Sequence, residues 1–170
     1  MSLIIRPAIV TDAAGIRDFL EQTIVAETRF VISLPEELLL NPEQQSAWIM
    51  DYEQDPDAIL MVAELEQMIV GVLDFKTKKR KRLAHTGEFG ISVRPGFQNQ
   101  KIGQKLLDSF LEWARNNSRV EKIILCVFAS NERAIHVYEK LGFIFEGRQK
   151  KAVKMSDGVY EDLIYMALEV

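Results

Sequence analysis

Cysteine is almost missing from this chain, with one residue, Cys126, in 170. A single thiol excludes an intrachain disulfide and fits a reducing, cytoplasmic setting. Cys126 lies in the apolar run Ile123–Phe128 with nothing nearby in sequence to lower its pKa, so it reads as a buried, inert thiol. Histidine is nearly as scarce, represented only by His85 and His136. Two isolated histidines and one cysteine offer no ligand set at usable spacing, which argues against a metal centre. There is no Gly-x-Ser-x-Gly elbow for a hydrolase of that kind. No apolar run approaches the roughly 20 residues that cross a bilayer, so no membrane partner is expected. The opening Met-Ser-Leu-Ile-Ile-Arg-Pro lacks a basic stretch followed by an apolar one, so no export signal is expected either.

Positive charge is sparse outside one stretch. The segment from Lys76 to Arg82 carries six of the 21 basic residues and no acid, leaving 15 basic residues against 25 acidic ones. A mostly acidic chain with one basic loop is a poor general nucleic-acid binder. The loop itself reads either as a solvated hairpin turn or as a contact for an acidic partner.

What is present is the composition of one globular domain, 48% hydrophobic and 27% charged. Leu3–Pro7 reads as a first strand. Thr11-Asp12 offers an N-cap for a helical stripe of Ile16, Phe19, Leu20 and Ile24. An irregular excursion follows from Ala26 to Asn41, and Asn41-Pro42-Glu43 opens the next helix, which runs through Tyr52. Ala58–Glu64 and Met68–Phe75 form an antiparallel hairpin. A third run, about Leu83 to Val93, precedes an alternation of helix and strand: Ile102–Arg115, Val120–Phe128, Asn131–Leu141 and Phe143–Lys151. The nearly continuous apolar character of Lys122–Phe128 predicts a strand covered on both faces. Gly142 stands where a helix end needs a left-handed residue, and Tyr160–Glu169 closes the chain. The pattern is a single α/β domain over 1–170, a mixed sheet with helices on both sides.

The centre of interest is Arg94–Leu107, where an apolar strand meets a Pro-Gly break, polar residues and then the helix beginning at Ile102. Free amides and the positive end of the dipole at such a helix start suit a phosphate, although the same arrangement also serves as a plain strand-to-helix turn. Asn131 is a natural N-cap, and Tyr138, seven residues on, shares its helix face.

Two motifs in these stretches resemble those of the GNAT superfamily of N-acetyltransferases. Gln98-Asn99-Gln100-Lys101-Ile102-Gly103 is similar to the family's Gln/Arg-x-x-Gly-x-Gly/Ala, with Lys101 where the first glycine usually stands. That substitution is tolerable if φ at Lys101 is negative. Asn131-Glu132-Arg133-Ala134-Ile135-His136-Val137-Tyr138-Glu139-Lys140-Leu141-Gly142-Phe143 resembles Asn-x-x-Ala-x-x-x-Tyr-x-x-x-Gly-Phe. Asp157–Asp162 followed by Met166 looks like the family's closing hairpin.

The resemblance implies a GNAT-like fold, with a mixed, mostly antiparallel sheet of about seven strands and helices on both faces. It implies acetyl-CoA as co-substrate, no metal, and direct transfer to a primary amine without a covalent enzyme intermediate. The coenzyme would lie along Ile91, Ser92 and Val93, on the loop Gln98, Asn99, Gln100, Lys101, Ile102, Gly103 and Gln104, and against Asn131 and Tyr138. Tyr138 would be the general acid that protonates the leaving thiolate, since a phenol with a pKa near 10 is protonated at neutral pH. Glu88 is the candidate base and Glu27 the reserve. Glu27, Thr28 and Phe30 would touch the acceptor. His136 is expected at the surface, and His85 is left open. Two acceptor classes remain, a small or amino-acid-like amine and a protein N-terminus, and a non-catalytic coenzyme A-binding regulatory domain is the alternative from a different class. Relatives often form homodimers.

Overall fold

The branched runs that alternate or cluster along the chain become seven strands, and the stripes at helical spacing become the helices that cover them. A computed structural model describes residues 2–26 and 29–170. The strands are β1 (Leu3–Pro7), β2 (Ala58–Leu65), β3 (Met68–Thr77), β4 (Thr86–Val93), β5 (Lys122–Phe128), β6 (Ile144–Lys154) and β7 (Tyr160–Glu169). The helices are α1 (Ala13–Ala26), α2 (Pro35–Leu38), α3 (Pro42–Gln54), α4 (Ile102–Asn116) and α5 (Glu132–Lys140). One sheet holds all seven strands in the order β1-β2-β3-β4-β5-β7-β6. Every pairing is antiparallel except β4 with β5. The expected α/β architecture is therefore present, and the strand count matches.

Period 2 along β2 and β3 divides the core between two layers. Ile16, Phe19, Ile49, Tyr52, Leu60, Val62 and Val72 pack together on the side of α1 and α3, here called the front. Leu73, Phe75, Phe89, Leu106, Phe110, Ile123 and Leu125 pack together on the side of α4, the back. Phe75 lies 5.1 Å from Phe110 and Phe89 lies 5.3 Å from Phe110, ring centre to ring centre, which locks α4 to the middle of the sheet.

Three local expectations change. Asp12 does not cap α1 but lies in a 3₁₀ turn (Val10–Asp12) that precedes it. There its carboxylate takes two bonds from Arg6, at 2.7 and 2.8 Å, and one from the amide of Ile9. The third apolar run starts as a strand only at Thr86, because Lys81–Leu83 closes a 3₁₀ turn first. The strand β5 is not covered on both faces: Ile123, Leu125 and Val127 are buried, whereas Ile124 and Cys126 stay partly exposed on the front. No described helix reaches far enough across that face, since α1 and α3 pack over β2 and β3.

The arrangement that makes a site is a fork. The parallel pairing of β4 and β5 lasts for only three residue pairs, ending at Glu88 with Ile124. Beyond it β4 continues to Val93 on the edge of β3, and β5 continues to Phe128 on the edge of β7. From Phe89 onward no described strand pairs with the β4 backbone on its β5 side, and a wedge opens between the two strands.

Candidate active site

The wedge leads into a cleft of about 790 Å³. Four segments converge on it: Ile91–Val93 of β4, the loop from Phe97 to Gln104, the start of α5 with Asn131 and Tyr138, and Thr23 with Arg29–Val31 from the front layer.

The loop has an unusual backbone. Asn99 and Lys101 have φ of 65° and 62°, so two non-glycine residues adopt left-handed backbone. Lys101 serves as the N-cap of α4 in that conformation. The condition of a negative φ at Lys101 is thus not met. The chain keeps the turn that a glycine would make there and carries the steric cost of a β-carbon in it. From Asn99 to Gln104, no backbone N–H donates to a described residue. A run of free amides at a helix start is the arrangement that holds a pyrophosphate. Gly103 faces Val93, where an added β-carbon would sit 3.5 Å from Cγ2, so the loop lies close against β4. The side chain of Gln100 turns back to donate to the carbonyl of Gly96 at 3.2 Å, and Gln100 does not line the cleft.

Asn131 caps α5, accepting from the amide of Ala134 at 3.2 Å through Oδ1. Its amide nitrogen donates to no described residue. Capping fixes the carboxamide at the cleft wall and leaves that nitrogen without a described partner. Tyr138 is fixed by packing. Its ring meets Phe89 at 5.9 Å and Phe143 at 5.8 Å, both close to edge-on. The phenol makes no hydrogen bond to a described residue. Burial, with a smaller contribution from Cys126, pushes its pKa up to about 12. It is therefore a proton donor throughout the neutral range.

The structure brings Ile91, Ser92, Val93, Gln98, Asn99, Lys101, Ile102, Gly103, Gln104, Asn131, Tyr138 and Phe30 together at this one cleft. Glu27 and Thr28 lie outside the described residues. Glu88 is exposed at the fork, on the front face, and does not line the cleft. Its charge nevertheless reaches Cys126, whose thiol is pushed up by burial first and by Glu88 second. His85 and His136 are both exposed.

The basic stretch also stands apart. Lys76 pairs with Asp51 and lies 4.2 Å from the centre of the Tyr52 ring, while Lys78–Arg82 are exposed and do not border the cleft. They occupy the turn before β4, about 20 Å of strand away from Val93 at 3.3 Å per residue.

Sequence reasoning missed Arg29 and Thr23 as cleft residues, and it missed Asp74. Asp74 lies on β3 opposite Gly90 and accepts from the Tyr52 hydroxyl at 3.3 Å. An acid inside the apolar run Val70–Phe75 was the available signal for it.

Comparison with known proteins agrees with this geometry. The profile of the Acetyltransferase (GNAT) family matches residues 26–143. The L-amino acid N-acetyltransferase AaaT of Escherichia coli is 37% identical over 107 residues, which is 63% of this chain and 65% of that protein. The [ribosomal protein bS18]-alanine N-acetyltransferase of Escherichia coli is 37% identical over 82 residues, 48% of this chain and 54% of that protein. The chain thus spans about half to two thirds of the length of these relatives. The crystal structure of an acetyltransferase of the GNAT family from Streptococcus pneumoniae superposes with a TM-score of 0.94 at 28% identity, covering 99% of this chain and 100% of that one. With fold, cleft and profile in agreement over most of its length, the chain belongs to the GNAT family of acetyltransferases.

Proposed function

We propose that this chain, acting as one acetyltransferase domain over 1–170, moves the acetyl group of acetyl-CoA to the primary amine of a small, amino-acid-like acceptor. The carrying observation is the convergence of the amide-lined loop Asn99–Gln104, the free edge of β4 and the α5 face bearing Asn131 and Tyr138 on one cleft. When bound, acetyl-CoA supplies an activated thioester. The loop amides hold its pyrophosphate, with Lys101 adjacent, and the β4 backbone from Phe89 to Val93 pairs with the amides of its arm as an added strand would. Asn131 donates to the same arm.

Reaction proceeds in a ternary complex. The acceptor amine gives up a proton, its nitrogen bonds to the acetyl carbon, and the carbon–sulfur bond breaks. Tyr138 delivers its proton to the leaving sulfur, a role suited to a phenol that is neutral across the working range. Glu88 takes the amine proton through water, since it stands at the fork rather than in the cleft wall.

The acceptor class rests on the likeness to the amino acid N-acetyltransferase, which extends over more of this chain than the likeness to the ribosomal enzyme. The test is thiol release from acetyl-CoA against a panel of free amino acids, polyamines and alanine-starting peptides, with the acetylated product identified by mass. Release that depends on a free amino acid is the expected result. Release with peptides alone would favour a protein N-terminus, and release with no amine would sink the reading.

A further inference from the structure

The cations bordering the cleft come from opposite layers of the molecule. Lys101 and Arg133 belong to the α4 and α5 ends on the back, beside the amide-lined loop. Arg29 comes from the segment after α1, on the front. Its guanidinium is held 5.2 Å from the centre of the Phe30 ring, and Phe30 in turn meets Phe128, at the end of β5, at 6.0 Å. A guanidinium held over an aromatic ring in this way keeps its N–H groups available. Arg29 makes no ion pair or hydrogen bond with a described residue. The one described acid bordering the cleft is Glu132, on the back.

A second observation points to a ligand at the same wall. Thr23, also from the front layer, borders the cleft and is only 5% exposed, yet its hydroxyl has no hydrogen-bond partner among the described residues. A buried hydroxyl without a partner is costly and marks a place where a polar group completes the structure.

We infer that Arg29, with the Thr23 hydroxyl, binds the α-carboxylate of the acceptor and so selects free amino acids over other amines. The inference rests on the proposed acetyl transfer. Tyr138 approaches the thioester sulfur from the back, on α5, so the nucleophile enters from the front. An amino acid entering that way carries its carboxylate toward the front wall. An unpaired guanidinium offers it two parallel donors, the geometry that a carboxylate accepts.

The experiment compares L-leucine and L-phenylalanine with their carboxamides, on the wild-type chain and on Arg29→Gln and Arg29→Lys. The wild type is expected to favour the free acids by about 10- to 100-fold in kcat/KM, the range for a lost charge-assisted bond. Arg29→Gln should erase that preference, mostly through KM of the amino acid, while KM for acetyl-CoA moves less than about twofold. Arg29→Lys should recover part of it, because charge without the fork restores attraction but not the paired bonds. Arg29 is exposed, so neither change threatens folding. An acid preference that survives in Arg29→Gln overturns the inference, as does a raised KM for acetyl-CoA with that preference intact, which would place Arg29 on a coenzyme phosphate. Acetylation of amides and acids at equal rates by the wild type overturns it while leaving acetyl transfer standing. A wild type that releases no thiol with any amine overturns both.

Discussion

The hydroxyl of Tyr52 on α3 donates to Oδ2 of Asp74 on β3 across 3.3 Å, and this phenol is the only described side chain that donates to the acid. Burial first, against the smaller opposing effect of that bond, holds the Asp74 carboxyl above the usual carboxylate range. The native state therefore keeps this proton more tightly than the unfolded chain does. Its contribution to stability is fully present below the unfolded-state pKa and is lost as pH rises through the native one. Asp74→Asn should melt close to the wild type at about pH 4, where an ordinary aspartate begins to ionise. Toward neutrality it should melt progressively higher than the wild type. Thermal melts of both chains across that range check the sign, and a gap that closes with rising pH would contradict it.

Lys101 at φ 62° carries a cost that glycine would not. Lys101→Gly should stabilise the fold by about 0.5–1 kcal/mol, the left-handed penalty less the extra entropy of an unfolded glycine. If the backbone amide is what contacts the coenzyme, KM for acetyl-CoA should change by less than about threefold. Denaturant titration gives the first quantity and steady-state kinetics the second. A large rise in KM would show that the ammonium itself holds a phosphate.

Tyr138→Phe keeps the ring contacts with Phe89 and Phe143 and removes only the proton. The expected result is a fall in kcat of about 10²–10⁴-fold, the span for a lost general acid, with KM for acetyl-CoA nearly unchanged and the melting temperature preserved. Because burial pushes the phenol up to about 12, the wild-type rate should show no alkaline decline from this group below about pH 10. Turnover that is unchanged at saturating substrates would remove the assignment.

Gly87 sits at the middle of the short β4–β5 pairing, just before the fork. A β-carbon there would overlap the ring of Phe75, which is fully buried, and stand 2.7 Å from the backbone carbonyl of Lys76 on the neighbouring strand. Gly87→Ala should cost about 3 kcal/mol, the upper end for overpacking. That corresponds to a drop of about 6–12 °C for a domain of this size. Differential scanning calorimetry measures it, and a loss under about 1 kcal/mol would mean that Phe75 repacks.

Much of the fold was legible because its signals are local. Asn41 caps α3, accepting from Gln44 at 2.8 Å, and Gly142 has φ of 94° after α5, as their residue types require. Along α4, Ile102, Leu106, Leu107, Phe110 and Ala114 recur at helical spacing and are buried, with Trp113 partly exposed beside them. Misreadings arose where a distant partner decides the outcome. Asp12 looked like a cap in isolation, but Arg6 and Glu64 form a cluster with it that no local pattern encodes. The apolar run of β5 read as doubly covered because composition does not say how far α1 and α3 reach across the sheet.

By itself the sequence determined the kinds of element, their order and the two motifs that carry the family likeness, because turn chemistry, capping and periodicity act within a few residues. Tertiary structure alone decided that pairing between β4 and β5 stops at Glu88 and Ile124, that the opened edge faces Asn131 and Tyr138, and that Arg29 and Thr23 form the opposite wall. It also decided that Lys101 takes the left-handed turn its side chain disfavours. The physical reason is common to all of these. Strand register and the approach of separate layers are set by packing between residues far apart in the chain, and such packing overrides the preference of any single residue.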